Sequence, residues 1–184
     1  MRVFASKGFF GAKVADIADD AGVADGTIYL YFKSKDDILI SLFEEQMEKV
    51  NAVMSQAMAG AAAADGKLRS FIHAYMDMVA ENRHAAEVIT IELRQSAKFM
   101  KEYKNPRFAE FLKTLAGVID DGQRQGRFRS DVPPPVAARA LFGALDELAL
   151  MWVTSRGEKL DIRKVADWIG DLVLQGLGSK GGSP

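Results

Sequence analysis

Between Val14 and Lys35 two short helical patterns meet at a glycine, and this junction restricts the possible folds more than any other stretch of the chain. Ile17, Ala18 and Ala21 fall on one helical face, with Val14 a turn earlier on the same side. Gly22 supplies the left-handed residue that ends a helix at least cost, and Val23 is placed to plug the turn. In the second pattern Ile28 and Phe32 point inward at i, i+4, which leaves Thr27, Tyr29 and Tyr31 freer. Two helices of this length around so tight a turn form a helix-turn-helix unit, in which one helix braces and the next enters the major groove of duplex DNA.

The rest of the chain reads as helix almost throughout, with no alternating strand pattern and only 5 prolines. Residues 2–8 resemble the last turns of a helix whose beginning lies outside the sequence. Ser34 and Asp37 stand in capping-box spacing and open a long helix that continues to about Ala59. Gly60–Gly66 reads as a small-residue linker, or as a frayed helix end followed by a turn, before an apolar repeat from Lys67 to Glu81. Helices follow around 85–95 and 96–101. Asn105-Pro106 marks a clean start for one that stops near Gly126. Pro133–Pro135 launches a strongly apolar helix from Val136 to Thr154. Asp161 caps the last helix, with Val165, Trp168, Ile169, Leu172 and Val173 assigned to its buried side. The expected fold is all-α. Residues 1–33 form a helix-turn-helix head, 34–177 a helical bundle for ligand binding and dimerisation, and 178–184 a flexible tail.

Composition narrows the function classes. With 184 residues and 48% apolar content the chain can bury a core, and no apolar run approaches the roughly 18 residues of a membrane span. The absence of cysteine rules out disulfides and thiolate metal sites and fits a cytoplasmic protein. The 2 histidines, His73 and His84, are too far apart for adjacent helical turns. No nucleophile elbow, phosphate loop or metal-spaced cluster is present, so the expectation is a non-enzyme without cofactor or metal. The balance of 24 basic against 25 acidic residues means that any nucleic-acid footprint is local.

Within the head, the hydroxyls of Thr27, Tyr29 and Tyr31 suit phosphate oxygens. Lys35 can add a charge at the start of the capped helix, and Lys13 is a further phosphate candidate. Gly26 permits close approach to the duplex. Charge is thin: Arg2, Lys7, Lys13, Lys33 and Lys35 face Asp16, Asp19, Asp20 and Asp25. Spacing alone leaves open a plain three-helix cluster that binds nothing.

Ile17-Ala-x-x-Ala-Gly-Val-x-x-Gly-Thr-Ile-Tyr-x-Tyr-Phe-x-Ser-Lys-Asp-Asp-Ile-Leu39 resembles the N-terminal signature of the TetR family of bacterial transcriptional repressors. The resemblance implies phosphate contacts from Thr27, Tyr29, Tyr31 and Lys35, with Ala24, Asp25 and Gly26 at the major groove of double-stranded operator DNA. The chain departs from the family pattern at Ala24, where a Ser N-cap is common, and at Ala12-Lys13, where Thr is usual. Most of the family's first helix and its basic leader are absent from the sequence.

Mid-chain, the bulky groups Ile89, Leu93, Phe99, Met100, Tyr103, Phe108, Phe111, Leu112, Phe142, Leu145 and Trp152 exceed what a small bundle requires. They suit a pocket, and equally an ordinary core. Arg94, Arg107 and Lys113 flank them as partners for an anionic head group. Asp146, in the apolar helix, is either a hydrogen-bonded core residue or a ligand contact. Glu92-Leu-Arg-Gln-Ser96 and Phe142-Gly-x-x-Asp-Glu147, with Asp37–Phe43, are similar to the acyl-CoA-responsive repressors of fatty-acid degradation within the family. That similarity implies a long-chain acyl-CoA effector that releases the protein from DNA. Ala137, Ala138, Ala140, Leu141, Gly143, Ala144, Leu148, Leu172 and Leu174 are expected at a homodimer seam. The alternatives are a TetR-type regulator of efflux or other genes that senses a different apolar ligand, and a helical dimer that has lost DNA binding.

Overall fold

The computed structural model describes residues 1–155 and 161–178; the expected tail beyond Gly178 lies outside the described residues. Ten α-helices account for most of them: α1 (Arg2–Gly11), α2 (Val14–Ala21), α3 (Asp25–Tyr31), α4 (Lys35–Ala59), α5 (Ala64–Glu81), α6 (Arg83–Thr90), α7 (Ala97–Lys101), α8 (Pro106–Arg124), α9 (Pro134–Thr154) and α10 (Ile162–Leu177). A 3-10 turn, Glu92–Gln95, separates α6 from α7. Extended pairing among the described residues is confined to one isolated bridge, Phe128 with Gly178, where Arg129 N–H also donates to the Leu177 carbonyl at 2.8 Å.

Local chemistry sets most helix ends. Gly22 closes α2 in the left-handed region at φ +69°. The Ser34 hydroxyl accepts from Asp37 N–H at 3.2 Å, and the Asp37 carboxylate accepts from Lys33 N–H, one residue outside the expected box. Asn105 and Asp161 cap α8 and α10 through their side chains. The expected linker Gly60–Gly66 is shorter than its small residues suggest, because α5 begins at Ala64 and includes Asp65 and Gly66.

α5 lies at the centre of the bundle, packed against α4, α8, α9 and α10. Leu68, Phe71, Ile72 and Met76 on α5 meet Leu39 and Met54 of α4, Leu115 and Ile119 of α8, and Leu145 of α9. Three polar contacts run along the α5–α10 edge: the ion pairs Arg69–Asp171 at 2.6 Å and Asp77–Arg163 at 3.6 Å, and His73 Nε2 with the Asp167 carboxylate at 3.2 Å. Being exposed, such pairs contribute little stability, and they set register between the two helices. At the end of α8, Gly122 is required by packing, since a Cβ there would sit 2.1 Å from the Phe128 ring.

α1 belongs to both sides of the expected 33/34 division. It buries Phe4 and Phe9 in the bundle core and lies against α6 and the 3-10 turn, while also touching α2. At Gly8 the helix kinks with φ +69° before its last turn.

Two groups of apolar residues point elsewhere than expected. Ala21 and Val23 are exposed, so the turn is closed by the Val23 N–H to Ala18 carbonyl bond without a hydrophobic plug. Trp168 and Leu172 face solvent at 55% and 67% exposure, whereas Val165 is buried and Ile169 and Val173 partly so. The expected seam likewise divides. Ala137, Ala138 and Leu141 are spent on the protomer's own core, and Ala140, Gly143 and Leu172 remain exposed. No helix among the described residues is long and apolar enough to cross a membrane.

Candidate functional site: an exposed helix and an apolar cavity

α3 has no buried residue and no side-chain cap at Ala24. Ile28 and Phe32 alone anchor its inner face to the core, and Tyr29 and Tyr31 stand out at 59% and 77% exposure. Ala24, Asp25 and Gly26 are exposed at its N-terminal end, and nothing lies within 4 Å of where a Gly26 Cβ would be. Thr27 is half-buried, with its amide bonded back to the Ala24 carbonyl at 2.8 Å. α3 therefore exposes Tyr29 and Tyr31, with open space beside Gly26.

The basic groups around it are partly committed. Arg2 pairs with Asp20 at 3.0 Å and Lys7 with Asp16 at 2.8 Å. The pairing with Lys7 and the Lys13 amide hold Asp16 below the usual carboxylate range. Lys35 differs from a free phosphate anchor. Its ammonium donates to the Ala12 carbonyl at 2.9 Å and the Phe10 carbonyl at 3.3 Å, and lies 4.7 Å from the centre of the Phe9 ring. It thus caps the C-terminal end of α1, where carbonyls lack helical partners. Lys13 and Lys33 are exposed beside the head.

Behind the head, the bundle holds a half-open cavity of about 410 Å3. Of the residues expected to bind a ligand, Ile89, Leu93, Arg94, Phe99, Met100, Phe108, Phe111, Phe142 and Asp146 line it. Two aromatic groups form its walls. Phe43 and Phe99 meet edge to face at 5.0 Å on one side; on the other, Phe108 and Phe142 meet at 4.7 Å and Phe111 lies 5.7 Å from Phe142. Such rings keep most of their faces apolar while leaving a gap that none of them fills.

Five expected residues lie outside the lining. Leu145 is fully buried core and Leu112 packs, partly buried, against the core. Tyr103 stacks behind Phe99 at 5.6 Å, and its hydroxyl donates to Glu44. Burial, then that carboxylate, pushes the Tyr103 phenol well above its ordinary value. Trp152 sits under the Arg83 guanidinium at 5.5 Å. Arg107 lies in a neighbouring polar groove with Glu48, Asn51, Ser55 and Glu110.

Polar residues also line the cavity, Gln46, Lys49, Glu81, Asn82, Thr90 and Asn105 among them, and Arg94 and Asp146 form an ion pair in its wall. Arg94 donates to the Asp146 carboxylate, joining the 3-10 turn to α9. Burial pushes the Asp146 carboxyl up, and the Arg94 charge draws it back. Tyr75 borders the same space, and its phenol is pushed far up by burial and by the nearby Asp146 charge. Sequence reasoning missed the α4 and α5 walls, above all Met47, Val50, Tyr75, Met78 and Val79. Their helical spacing is that of any core face, and the only hint was the number of bulky groups along α4.

Comparison with known proteins covers both halves of the chain. The family model described as "Bacterial regulatory proteins, tetR family" matches residues 1–42, and "YsiA-like protein, C-terminal region" matches residues 43–176. The "Fatty acid metabolism regulator protein" of Bacillus subtilis is 34% identical over 180 residues, covering 98% of this chain and 92% of that protein. The crystal structure of the transcriptional regulator FadR from Bacillus subtilis in complex with stearoyl-CoA superposes with a TM-score of 0.87 at 34% identity, over 96% of this chain and 94% of the other. The fatty acid degradation regulator FadR from Bacillus halodurans gives a TM-score of 0.86 at 33% identity, again over 96% and 94%.

Proposed function

The chain belongs to the tetR family of bacterial regulatory proteins and is a DNA-binding transcriptional repressor, not an enzyme; from that premise we propose that its effector is a long-chain acyl-CoA. One observation carries the reading: the cavity walled by phenylalanines and bordered by the Arg94–Asp146 pair, in a chain so similar to a regulator crystallised with stearoyl-CoA. At about 410 Å3 the cavity falls within the roughly 300–1,000 Å3 of small-molecule sites. An acyl tail lies among Phe99, Phe108, Phe111 and Phe142, and its polar end meets Arg94.

Residues 1–33 serve as the DNA-reading head and 34–177 as the sensing and dimerising bundle. Thr27, Tyr29 and Tyr31 contact phosphates, with Lys13 beside them, and Ala24, Asp25 and Gly26 approach base edges. Lys35 acts chiefly by fixing α1 against the start of α4. A homodimer presents two heads, which supplies the second set of phosphate contacts that one thinly charged head lacks. The exposed apolar groups Val136 and Ala140 of α9, and Trp168 and Leu172 of α10, support that assembly. Ligand shifts the equilibrium by binding one arrangement of the bundle better than the other.

Native mass spectrometry of protein purified from cells tests the effector. An acyl-CoA adduct on a dimer is expected, and a ligand-free chain that also ignores added stearoyl-CoA in an operator gel shift would refute the assignment. Each buried methylene stabilises a complex by about 0.8 kcal/mol, so affinity should climb roughly fourfold per added carbon until the cavity is full. A flat response from short to long acyl chains would show that the tail is not what the cavity reads.

A further inference from the structure

The cavity and the head share one short stretch of chain. On one side, the 3-10 turn and α7 place Leu93, Arg94, Phe99 and Met100 in the cavity wall. On the other, three polar side chains of the same stretch hold the head and the start of α4. The Glu92 carboxylate accepts from Phe9 N–H at 2.5 Å. Ser96 Oγ donates to Asp36 Oδ1 at 2.5 Å, and Lys98 Nζ donates to Asp37 Oδ1 at 2.5 Å.

The Glu92 contact depends on a built-in irregularity of α1. Gly8 leaves the helical region at φ +69° and ψ 168°, so the ladder is interrupted and the next amide needs a partner from outside the helix. Glu92 supplies that partner, and a Cβ on Gly8 would lie 3.4 Å from its Oε2. A side chain at that φ is strained as well. Kink and carboxylate therefore form one joint between α1 and the 3-10 turn.

We propose that residues 92–101 are the coupling strap of the protein, with Glu92 passing the state of the cavity to α1, and Ser96 and Lys98 passing it to the first turn of α4. The inference rests on the effector reading above and adds the residues through which it acts. The strap is too short to hold a position by itself: a 3-10 turn has poor hydrogen-bond geometry and α7 has only 5 residues. Its place is fixed by what it touches. Arg94, two residues from Glu92, is tied across the cavity to Asp146 on α9. A ligand that parts α9 from the turn, or draws the guanidinium to an anionic group, moves the strap and with it both attachments. Asp36 and Asp37 stand in the first turn of α4, directly after the head, so a displacement of the strap acts on α4 at the end that carries the head.

The test separates coupling from binding and from folding. The double variant Glu92→Ala with Lys98→Met removes two attachments without touching the cavity or α3, and Glu92→Gln keeps an acceptor for Phe9 N–H. Operator affinity is measured by anisotropy on the DNA upstream of the protein's own gene, with and without stearoyl-CoA, and stearoyl-CoA binding by calorimetry. The double variant should keep each separate affinity within about threefold, while the ligand's effect on operator affinity, ordinarily about 5–150-fold, falls to less than about twofold. Glu92→Gln should retain the effect. A double variant that responds like the parent, or one that loses both affinities equally, overturns the proposal. If the parent itself ignores stearoyl-CoA, the effector reading fails alone, and the strap is judged by hydrogen exchange. Amides of α1–α3 should then exchange about tenfold faster in the double variant with those of α5 and α8 unchanged, and unaltered exchange in the head would refute it.

Discussion

α3 and α5 follow opposite rules. α3 buries none of its residues and holds to the protein by Ile28 and Phe32, whereas α5 buries Leu68, Phe71, Ile72 and Met76 and touches α4, α6, α8, α9 and α10. A seven-residue helix has little stability of its own, so the exposed α3 face is maintained by its neighbours for something outside the molecule. The bundle around α5 shows the reverse economy: its side chains are mostly inside, and what it keeps free is interior space. One region stores an unmet outer surface, the other an unfilled inner one.

The sharpest way to break that contrast is to cut each region at its anchor. Phe111 is buried at 1% exposure and borders the cavity, and Phe111→Ala should cost about 3–5 kcal/mol in urea unfolding. Ile28→Ala, at a half-buried site, should cost well under half as much. Equal losses would mean that the head is as tightly packed as the bundle, and the comparison would fail.

A second cut should leave stability alone and remove only the outward function. Tyr29 is largely exposed, so Tyr29→Ala should change unfolding by no more than about 0.5 kcal/mol. Loss of a hydrogen bond to a phosphate is worth about 1.5–3 kcal/mol, or roughly ten- to a hundredfold in operator affinity, alike for all operator sequences. Sequence-selective weakening would instead make Tyr29 a base reader. Smaller still is Ser34→Ala, which removes the cap between head and bundle and should cost about 1 kcal/mol, read as a lower urea midpoint.

The two regions also differed in how far the sequence disclosed them. Helix ends were legible wherever a side chain does the capping: Ser34 opens α4, Gly22 ends α2, and Asn105-Pro106 begins α8. Ala21 and Val23 were misplaced because an apolar residue in a surface motif carries the same periodic signal as one in a core. Trp168 carries the same signal and faces solvent in the single chain. The wall built from Phe99, Phe108, Phe111 and Phe142 was legible through the aromatic surplus. The α4 and α5 walls were not, since a face around a void has the same pattern as a face around a filled core. Lys35 shows the remaining limit: its charge was evident from sequence, but its use on the Phe10 and Ala12 carbonyls depends on where α1 ends in space.

The finest test concerns two carboxylates whose surroundings shift them in opposite directions. Asp146 borders the cavity, where burial raises its pKa above the ordinary 3.8 despite Arg94. Asp37 lies at the start of α4, where the hydrogen bond from Lys98 lowers its pKa below 3.8. A raised carboxyl favours the folded state while protonated, so the Asp146 contribution is present below pH 3.8 and lost as pH rises through its folded value. A lowered one does the opposite: the Asp37 contribution is present above pH 3.8 and lost on acidification through its folded value. Stability curves measured against Asp146→Asn and Asp37→Asn between about pH 3 and 7 should therefore separate with slopes of opposite sign. The wild chain loses ground to Asp146→Asn as pH rises and gains on Asp37→Asn. Curves that slope the same way would place both carboxylates in similar surroundings, and the distinction between a carboxylate beside an apolar cavity and one at a solvated helix junction would no longer hold.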